Sequence, residues 1–269
     1  MIKEDPMKKD TEMIVHRFPG DVTIYPISDV HLGAAEHMTG AWDNFCQSVL
    51  KRPNVYLLLN GDLINNSTRS SVGNIFEETM RPRDQKKRMV EMLDPLRDRI
   101  LCITTGNHER RSVKDADDDP TYDIACKLDL EDLYRPNIAF LKLMLGTDNK
   151  RDGSNRAQNC YYFAVTHGSG GGIYTGATVN RNERFGNVVE GLDCLVVGHT
   201  HKGVVSKPQK LVIDPHNNQV LLKHYTVVSS VSWMAYGGYA MQKMLLPSHT
   251  GEPQKIELKR NNKKLTVTW

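Results

Sequence analysis

Short apolar runs that end at polar residues recur along the first part of the chain. One covers residues 22–28 and stops at Asp29, and the next covers 55–59 and stops at Asn60. Three more runs of the same kind cover residues 100–105, 161–165 and 192–197. Short runs without an apolar–polar alternation are typical of strands that are buried on both faces.

Helical patterns lie between these predicted strands. One covers residues 41–52, and a second covers 73–99 with a break near Pro82. A third begins at Asp119 and Pro120, because aspartate suits the N-cap and proline the first helical position, and it continues to about Tyr134. The alternation of strands with helices predicts an α/β fold.

After Val204 the helical pattern fades and strand-like segments follow. They cover residues 211–213, 219–230, 241–246, 255–259 and 265–269, and residues 215–218 are typical of a hairpin turn. We therefore predict a loose N-terminal lead-in over residues 1–20. We predict a single domain over residues 21–269, with a β-rich part from about residue 204.

The composition excludes several classes of protein. Hydrophobic residues make up 39% and charged residues 25%, which argues against disorder and fibrous repeats. No apolar run reaches the roughly 18 residues of a membrane span, so we expect no membrane contact. The five scattered cysteines form no C-x-x-C pair, and we expect a reducing, cytoplasmic environment. The net charge of +3 is too small to identify a nucleic-acid binder.

Residues that can bind metals follow the predicted strands. The motifs are Asp29-x-His31, Gly61-Asp62, Gly106-Asn107-His108-Glu109, His167-Gly168 and Gly198-His199-Thr200-His201. Ligands of open α/β sheets gather beyond the carboxyl ends of strands. Imidazole, carboxylate and amide groups bind divalent Mn, Fe and Zn. These motifs hold too many such groups for one closed site, and they suit two metals that share a bridging carboxylate.

These five motifs, in this order, resemble the signature of the calcineurin-like metallophosphoesterases over about residues 22–202. The resemblance implies two packed mixed β-sheets flanked by helices, a four-layer sandwich. It also implies two divalent metal ions, with Mn as our first choice and Fe or Zn as alternatives.

The resemblance further implies a role for each motif residue. The first metal would be bound by Asp29, His31, Asp62 and His201. The second would be bound by Asp62, Asn107, His167 and His199, with Asp62 as the bridge. His108 would stabilise or protonate the leaving oxygen without binding a metal.

Two positions near these motifs are predicted to touch substrate or to act through His108. Some family members carry a second aspartate that orients the catalytic histidine, and Asn65 stands at that place here. An amide can hold an imidazole ring, but it stabilises the charged ring less well than a carboxylate does. Arg110 and Arg111 follow the His108 motif, and we expect Arg110 as a phosphate clamp.

The predicted function is a dimetal-dependent phosphoester hydrolase. The Gly198-His199-Thr200-His201 element is closer to the phosphodiesterase and nuclease branches than to the Ser/Thr phosphatases. We therefore expect a phosphodiesterase that acts on nucleotides or nucleic acid through a metal-bridging hydroxide. A phosphomonoesterase for nucleotides or phosphoproteins and a non-catalytic metal-stabilised scaffold stay open, as does the oligomeric state.

The interpretation of three further segments stays open. The basic run at residues 81–88 is either a solvated helix face or a contact for a polyanion. Residues 168–172 either close over substrate or connect a strand to a helix. Residues 180–184 have the polar content of a substrate wall, but the sequence does not place them.

Overall fold

The computed structural model describes residues 11–69, 71, 75–146 and 158–269. The strands are β1 (Ile14–Phe18), β2 (Val22–Ile27), β3 (Val55–Asn60), β4 (Ile100–Thr104), β5 (Tyr134–Arg135), β6 (Ile138–Gly146), β7 (Gln158–Thr166), β8 (Cys194–Val197), β9 (Val204–Ser206), β10 (Gln209–Asp214), β11 (Gln219–His224), β12 (Thr226–Ser229), β13 (Lys255–Leu258) and β14 (Leu265–Thr268). The helices are α1 (Thr39–Leu50), α2 (Pro82–Leu93), α3 (Glu109–Ala116), α4 (Pro120–Lys127), α5 (Thr175–Gly186) and α6 (Gly238–Gln242).

Most strands belong to two six-stranded mixed sheets. The first sheet has the order β14-β13-β2-β3-β4-β5, and β2, β3, β4 and β5 run parallel. The second has the order β1-β6-β7-β8-β12-β9, with β7, β8 and β12 parallel. Since neighbouring parallel strands end at the same edge, the loops after β2, β3 and β4 lie together, as do those after β7 and β8.

The two sheets pack face to face and are covered by helices on their outer faces. Buried Ile24, Leu58 and Cys102 of the first sheet share one core with Leu141 and Phe163 of the second. A separate core joins the other face of the first sheet to side chains from α1, α2 and α4. Helix α5 contacts β12 and β9 of the second sheet. The predicted fold of two mixed sheets flanked by helices is therefore confirmed.

Several local predictions agree with the structure. Helix α2 begins at Pro82, where the break was expected. Asp119 caps α4 and accepts hydrogen bonds from the backbone N–H groups of Thr121 and Tyr122, at 3.0 and 3.1 Å. The hairpin turn at 215–218 joins β10 to β11. The predicted start of a helix at residues 73 and 74 lies outside the described residues.

Four predictions need correction. Residues 14–18, assigned to a loose lead-in, form β1 and pair in parallel with β6. The helix that begins at Pro120 ends at Lys127 and does not reach Tyr134, which starts β5. The predicted strand 219–230 is two strands, because β11 pairs in the hairpin and β12 in the second sheet. The predicted strand 241–246 is wrong, since its first residues belong to α6.

Two further findings concern membrane-spanning helices and the cysteines. Among the residues that the structure describes, no helix combines the length and the apolar character that crossing a bilayer requires. All five cysteines are free thiols.

Candidate metal centre

Carboxylates and imidazoles from both sheets converge at the carboxyl ends of the parallel strands. Asp29 and His31 follow β2, Asp62 follows β3, and His167 and His199 follow β7 and β8. Their ligand atoms form three overlapping clusters in which all atoms lie within 4.8 Å of one another. The clusters are Asp29–His31–His201, His31–Asp62–His108 and Asp62–His167–His199.

The first cluster combines one carboxylate with two imidazoles. Asp29 Oδ1 lies 3.1 Å from His201 Nε2 and 3.8 Å from His31 Nε2, yet this buried oxygen accepts no hydrogen bond. The two Nε2 atoms are themselves 3.2 Å apart. The other oxygen, Asp29 Oδ2, accepts from the His199 backbone N–H at 2.9 Å and from the Ser28 hydroxyl. The carboxylate is therefore held on one side and presents its free oxygen to the two rings.

The Asp62–His167–His199 cluster gathers around the Asn107 amide. Asn107 Oδ1 lies 3.0 Å from His167 Nε2 and 2.6 Å from His199 Nδ1. His167 Nε2 is also 3.2 Å from Asp62 Oδ2. The other nitrogen of this ring, Nδ1, donates to the Asn60 carbonyl at 2.9 Å. That bond orients the ring, as partners of metal-binding histidines commonly do, so that Nε2 faces the oxygens.

Asp62 belongs to two of the three clusters and lies between His31 and His167. Its Oδ2 atom is 3.8 Å from His31 Nε2 on one side and 3.2 Å from His167 Nε2 on the other. Its Oδ1 atom accepts the backbone N–H of His108 at 2.8 Å. This is the position that a carboxylate shared by two metal ions requires.

The electrostatics of the centre fit a pair of divalent cations. Burial alone would raise the pKa values of Asp29 and Asp62, but the adjacent rings of His201 and His167 hold both well below their usual range. Burial opposes charging of His167 too, yet Asp62 raises its pKa to about 10. Both nitrogens of that ring face oxygens, which suits an imidazolium or a cation at Nε2. Nitrogen and oxygen donors without sulfur are the ligand type of Mn, Fe and Zn.

His108 differs from the other rings of the centre. Its Nδ1 atom donates to the Asn65 carbonyl at 2.8 Å, and its Nε2 atom lies 3.8 Å from Asp62 Oδ2. Burial lowers its pKa to about 3, although Asp62 partly opposes that shift. The ring is therefore neutral at ordinary pH and directs Nε2 toward the centre.

The backbone at these residues is in the left-handed region. The φ angles are 53° at Asp29, 49° at His31, 51° at Asp62, 70° at His199 and 55° at His201. Such angles at residues other than glycine cost about 1–3 kcal/mol each and collect at functional sites. Because His199 and His201 both lie in left-handed backbone, the two side chains reach different clusters, His201 with Asp29 and His199 with Asp62.

Glu109 holds two of the loops together, a role that the sequence analysis did not assign. It is fully buried and accepts the backbone N–H groups of Asp62, Ile64 and Gly106, at 3.0, 3.2 and 3.0 Å. Burial and the nearby Asp62 carboxylate raise the pKa of Glu109 to about 7. Glycine is required at position 106 for the close approach of Asp62, because an added Cβ would lie 2.0 Å from Asp62 Oδ1.

Comparison with known proteins identifies the family of this chain. The model of the calcineurin-like phosphoesterase family matches residues 22–203, which is more than half of the chain. The chain belongs to this family. No curated protein matches the sequence of this family member. The matched range includes all seven predicted metal ligands and His108.

Solved structures similar to this phosphoesterase-family chain have low sequence identity. A metallophosphoesterase from Sphaerobacter thermophilus is 14% identical with a TM-score of 0.43, and the match covers 91% of this chain and 87% of that one. A calcineurin-like phosphoesterase from Bacillus subtilis is 12% identical with a TM-score of 0.38, over 92% of this chain and 90% of that one.

Asn65 and Arg110, the two residues predicted to contact substrate, both form hydrogen bonds with other groups of the protein. The Asn65 side chain donates to Glu78 Oε1 at 2.9 Å and to Ser67, so its backbone carbonyl, and not its amide, orients His108. Arg110 lines a cavity beside His167 and donates to Asn137 Oδ1 at 3.0 Å and to a neighbouring carbonyl. Their contact with substrate stays a prediction.

Arg111 does not line that cavity. Its guanidinium is 3.4 Å from the Asn65 carbonyl, the same oxygen that holds His108. Burial lowers its pKa, although Asp62 and Glu109 oppose the shift. The two consecutive arginines therefore place positive charge at different points, Arg110 at the cavity and Arg111 beside the carbonyl that holds His108.

The basic run on α2 is largely paired within the protein. Lys86 lies 2.6 Å from Asp123 and 3.3 Å from Asp118, which joins α2 to the start of α4. Lys87 and Arg88 both lie within 4 Å of Glu91 on the same helix. This arrangement favours the solvated helix face over the polyanion contact.

Residues 168–172 connect β7 to α5. Arg181 of α5 donates to the carbonyls of Gly170 and Gly171, both at 3.1 Å. Lys202 donates to the Gly172 carbonyl at 2.8 Å. The loop is therefore hydrogen-bonded to α5 and to Lys202, the residue after His201. These contacts favour the interpretation in which the loop connects a strand to a helix.

Proposed function

We propose that this chain is a dimetal-dependent phosphodiesterase that acts on nucleotides or nucleic acid, with Mn as its first-choice metal. The observation that carries the proposal is the position of Asp62, whose Oδ2 atom faces His31 on one side and His167 on the other. The similarity of the Gly198–His201 element to the phosphodiesterase branches supports the preference for diesters. The five free thiols support a cytoplasmic location.

The seven predicted ligands would hold the metal ions as two sets that share Asp62. One set adds Asp29, His31 and His201, and the other adds Asn107, His167 and His199. When bound, two divalent cations supply an activated water and neutralise the charge of phosphate oxygens. The protein holds the ligands in place through the hydrogen bonds of Asp29, Asp62 and His167 to backbone groups. Preformed ligands of this kind need little reorganisation on binding.

His108 would act on the leaving oxygen. Its ring is held by the Asn65 carbonyl at Nδ1, which leaves Nε2 facing the centre. Burial keeps the free ring neutral, and an anionic phosphate beside it would favour the protonated ring. In that form Nε2 donates its proton to the departing oxygen, and Nδ1 keeps its bond.

Hydrolysis by chelated and Mn-reloaded protein tests the proposal. Bis-p-nitrophenyl phosphate and p-nitrophenyl phosphate are compared side by side, with Asp62→Asn as the test variant. Asp214→Asn is the matched control, because Asp214 is a carboxylate of the exposed hairpin turn. We expect Mn-dependent turnover of the diester that Asp62→Asn lowers by at least about 100-fold and Asp214→Asn leaves unchanged.

Two other outcomes would contradict the proposal in different ways. Turnover of the monoester alone would identify a phosphomonoesterase. Two bound metal ions without turnover of either ester would favour the scaffold.

A further inference from the structure

We infer that the cavity beside His167 binds the nucleoside part of a nucleotide-sized phosphoester, and that Phe185 and Asn182 are the residues that recognise it. The inference rests on the proposed function, because it describes where one arm of the substrate would lie when its phosphate is bound at the metal centre.

The cavity adjoins the metal centre and has a volume of about 460 Å³. Asn107 and His167 line it on the side of the centre, and Asn182 and Phe185 of α5 also line it. Small-molecule sites have volumes of about 300–1,000 Å³. This volume is sufficient for a nucleoside.

Asn182 lines this cavity and carries a hydrogen-bond donor that has no acceptor. The residue is 3% exposed, and its amide nitrogen Nδ2 is buried with no hydrogen-bond partner among the described residues. Burial of an amide N–H without an acceptor is unfavourable. A ring nitrogen or carbonyl of a nucleobase would supply the acceptor once the amide turns toward the cavity.

Phe185 supplies a flat apolar surface at the same cavity. Its side chain is 37% exposed, although Asn182 and Gly186 on the same helix are buried. Gly186 packs so closely on Tyr225 that an added Cβ would lie 2.4 Å from that ring. The helix is therefore fixed against the second sheet, and Phe185 is left partly uncovered toward the cavity. Aromatic side chains in this setting are typical stacking partners for bases.

Two arginine side chains at the cavity favour an anionic ligand. Arg110 and Arg181 both line it, and Arg181 is fixed by its hydrogen bonds to the Gly170 and Gly171 carbonyls. Their positive charge attracts a phosphate-bearing molecule. A flat ring with hydrogen-bond acceptors that is joined to a phosphate is a nucleotide. An alkyl or glycerol arm would leave both Phe185 and Asn182 unused.

Titration calorimetry on the Mn-loaded full chain tests the inference, with AMP, ribose 5-phosphate and inorganic phosphate as probes. We expect AMP to bind at least about tenfold more tightly than ribose 5-phosphate, because only AMP carries a base. Phe185→Ala should remove about tenfold of the AMP affinity and leave the ribose 5-phosphate affinity unchanged. Phe185→Tyr should keep AMP binding, since it keeps the ring.

Two more variants complete the design. Asn182→Ala should weaken AMP binding more than ribose 5-phosphate binding. Val188→Ala is the matched control, because Val188 is 76% exposed just beyond α5 and does not line the cavity. We expect this control to leave the affinities of all three probes unchanged.

Equal affinities of AMP and ribose 5-phosphate, or unchanged AMP affinity in Phe185→Ala, would overturn the inference. Turnover of bis-p-nitrophenyl phosphate on the same preparations distinguishes the two levels of failure. Metal-dependent turnover without a preference for the base refutes the nucleoside site alone. Absence of both turnover and phosphate binding refutes the proposed function, and the inference with it.

Discussion

His108 and Glu109 are consecutive residues with different tasks at the centre. His108 directs a free ring nitrogen toward Asp62, whereas Glu109 turns inward and accepts three backbone N–H groups. The first residue is placed to act on a substrate. The second holds the loops that carry Asp62 and Asn107.

Replacing His108 with alanine should separate catalysis from metal binding. We expect kcat to fall by about 100- to 10,000-fold, because a positioned proton donor contributes that much. The metal content should stay at that of the wild-type chain, measured by elemental analysis after gel filtration. Parallel loss of metal and turnover would show instead that the cluster of His31, Asp62 and His108 binds a metal directly.

Glu109→Gln should destabilise the protein without removing a metal ligand. Two N–H groups share Oε2 of Glu109 and one uses Oε1, so a glutamine amide nitrogen would leave at least one buried N–H group unsatisfied. We expect the free energy of unfolding in urea to fall by about 1–3 kcal/mol. A variant as stable as the wild-type chain would show that the loops do not depend on this carboxylate.

At the scale of elements, the carboxyl ends of the parallel strands position the candidate ligands, and helices cover the outer faces of the sheets. Strand β1 is a separate case, because it lies at the edge of the second sheet and is tied to the first sheet through His16. The Nε2 atom of that ring donates to the Leu101 carbonyl of β4 at 2.8 Å. Burial lowers its pKa, and the hydrogen bond only partly opposes the shift.

This histidine should make β1 sensitive to acid. Because its pKa is lowered on folding, the unfolded chain takes up the proton more readily, and stability is lost as the pH falls below about 6.5. We expect His16→Gln to lose less unfolding free energy than the wild-type chain between about pH 7.5 and about pH 5 in urea titrations. Equal losses in the two proteins would exclude His16 as an acid-sensitive contact.

At the scale of the whole molecule, the candidate centre joins the two sheets at one edge. Asp29, His31 and Asp62 come from the first sheet, whereas His167 and His201 follow strands of the second. Metal ions bound there would hold the sheets together as well as serve the chemistry. Stability and metal content should therefore be linked.

Chelation should lower the melting temperature of the wild-type chain by about 10–20 °C. Each of the two metal ions, present at about 100 times its dissociation constant, contributes about 2.7 kcal/mol, and a chain of this size shifts by about 2–4 °C per kcal/mol. Scanning calorimetry with chelator and after Mn addition measures the effect. The Asp62→Asn variant should show a smaller difference, and an equal difference would point to metal binding elsewhere.

Three segments could not be predicted correctly from the sequence, each for its own physical reason. Helix α3 has Glu109 as its only buried residue, so it shows no apolar period. Strand β1 lies at a sheet edge and alternates, and its neighbour β6 is remote in sequence. The segment at 241–246 has an apolar composition, but Met241 and Met244 are exposed, so no burial enforces a strand there.

The sequence alone determined the type of fold, and it predicted which residues lie together at the candidate centre. Local chemistry carries that information, since each ligand directly follows a buried apolar run. Tertiary structure decided that Asp62 lies between His31 and His167, that the Asn65 carbonyl orients His108, and that α5 forms a cavity wall. Those relations depend on contacts between segments far apart in the chain, which no local pattern encodes.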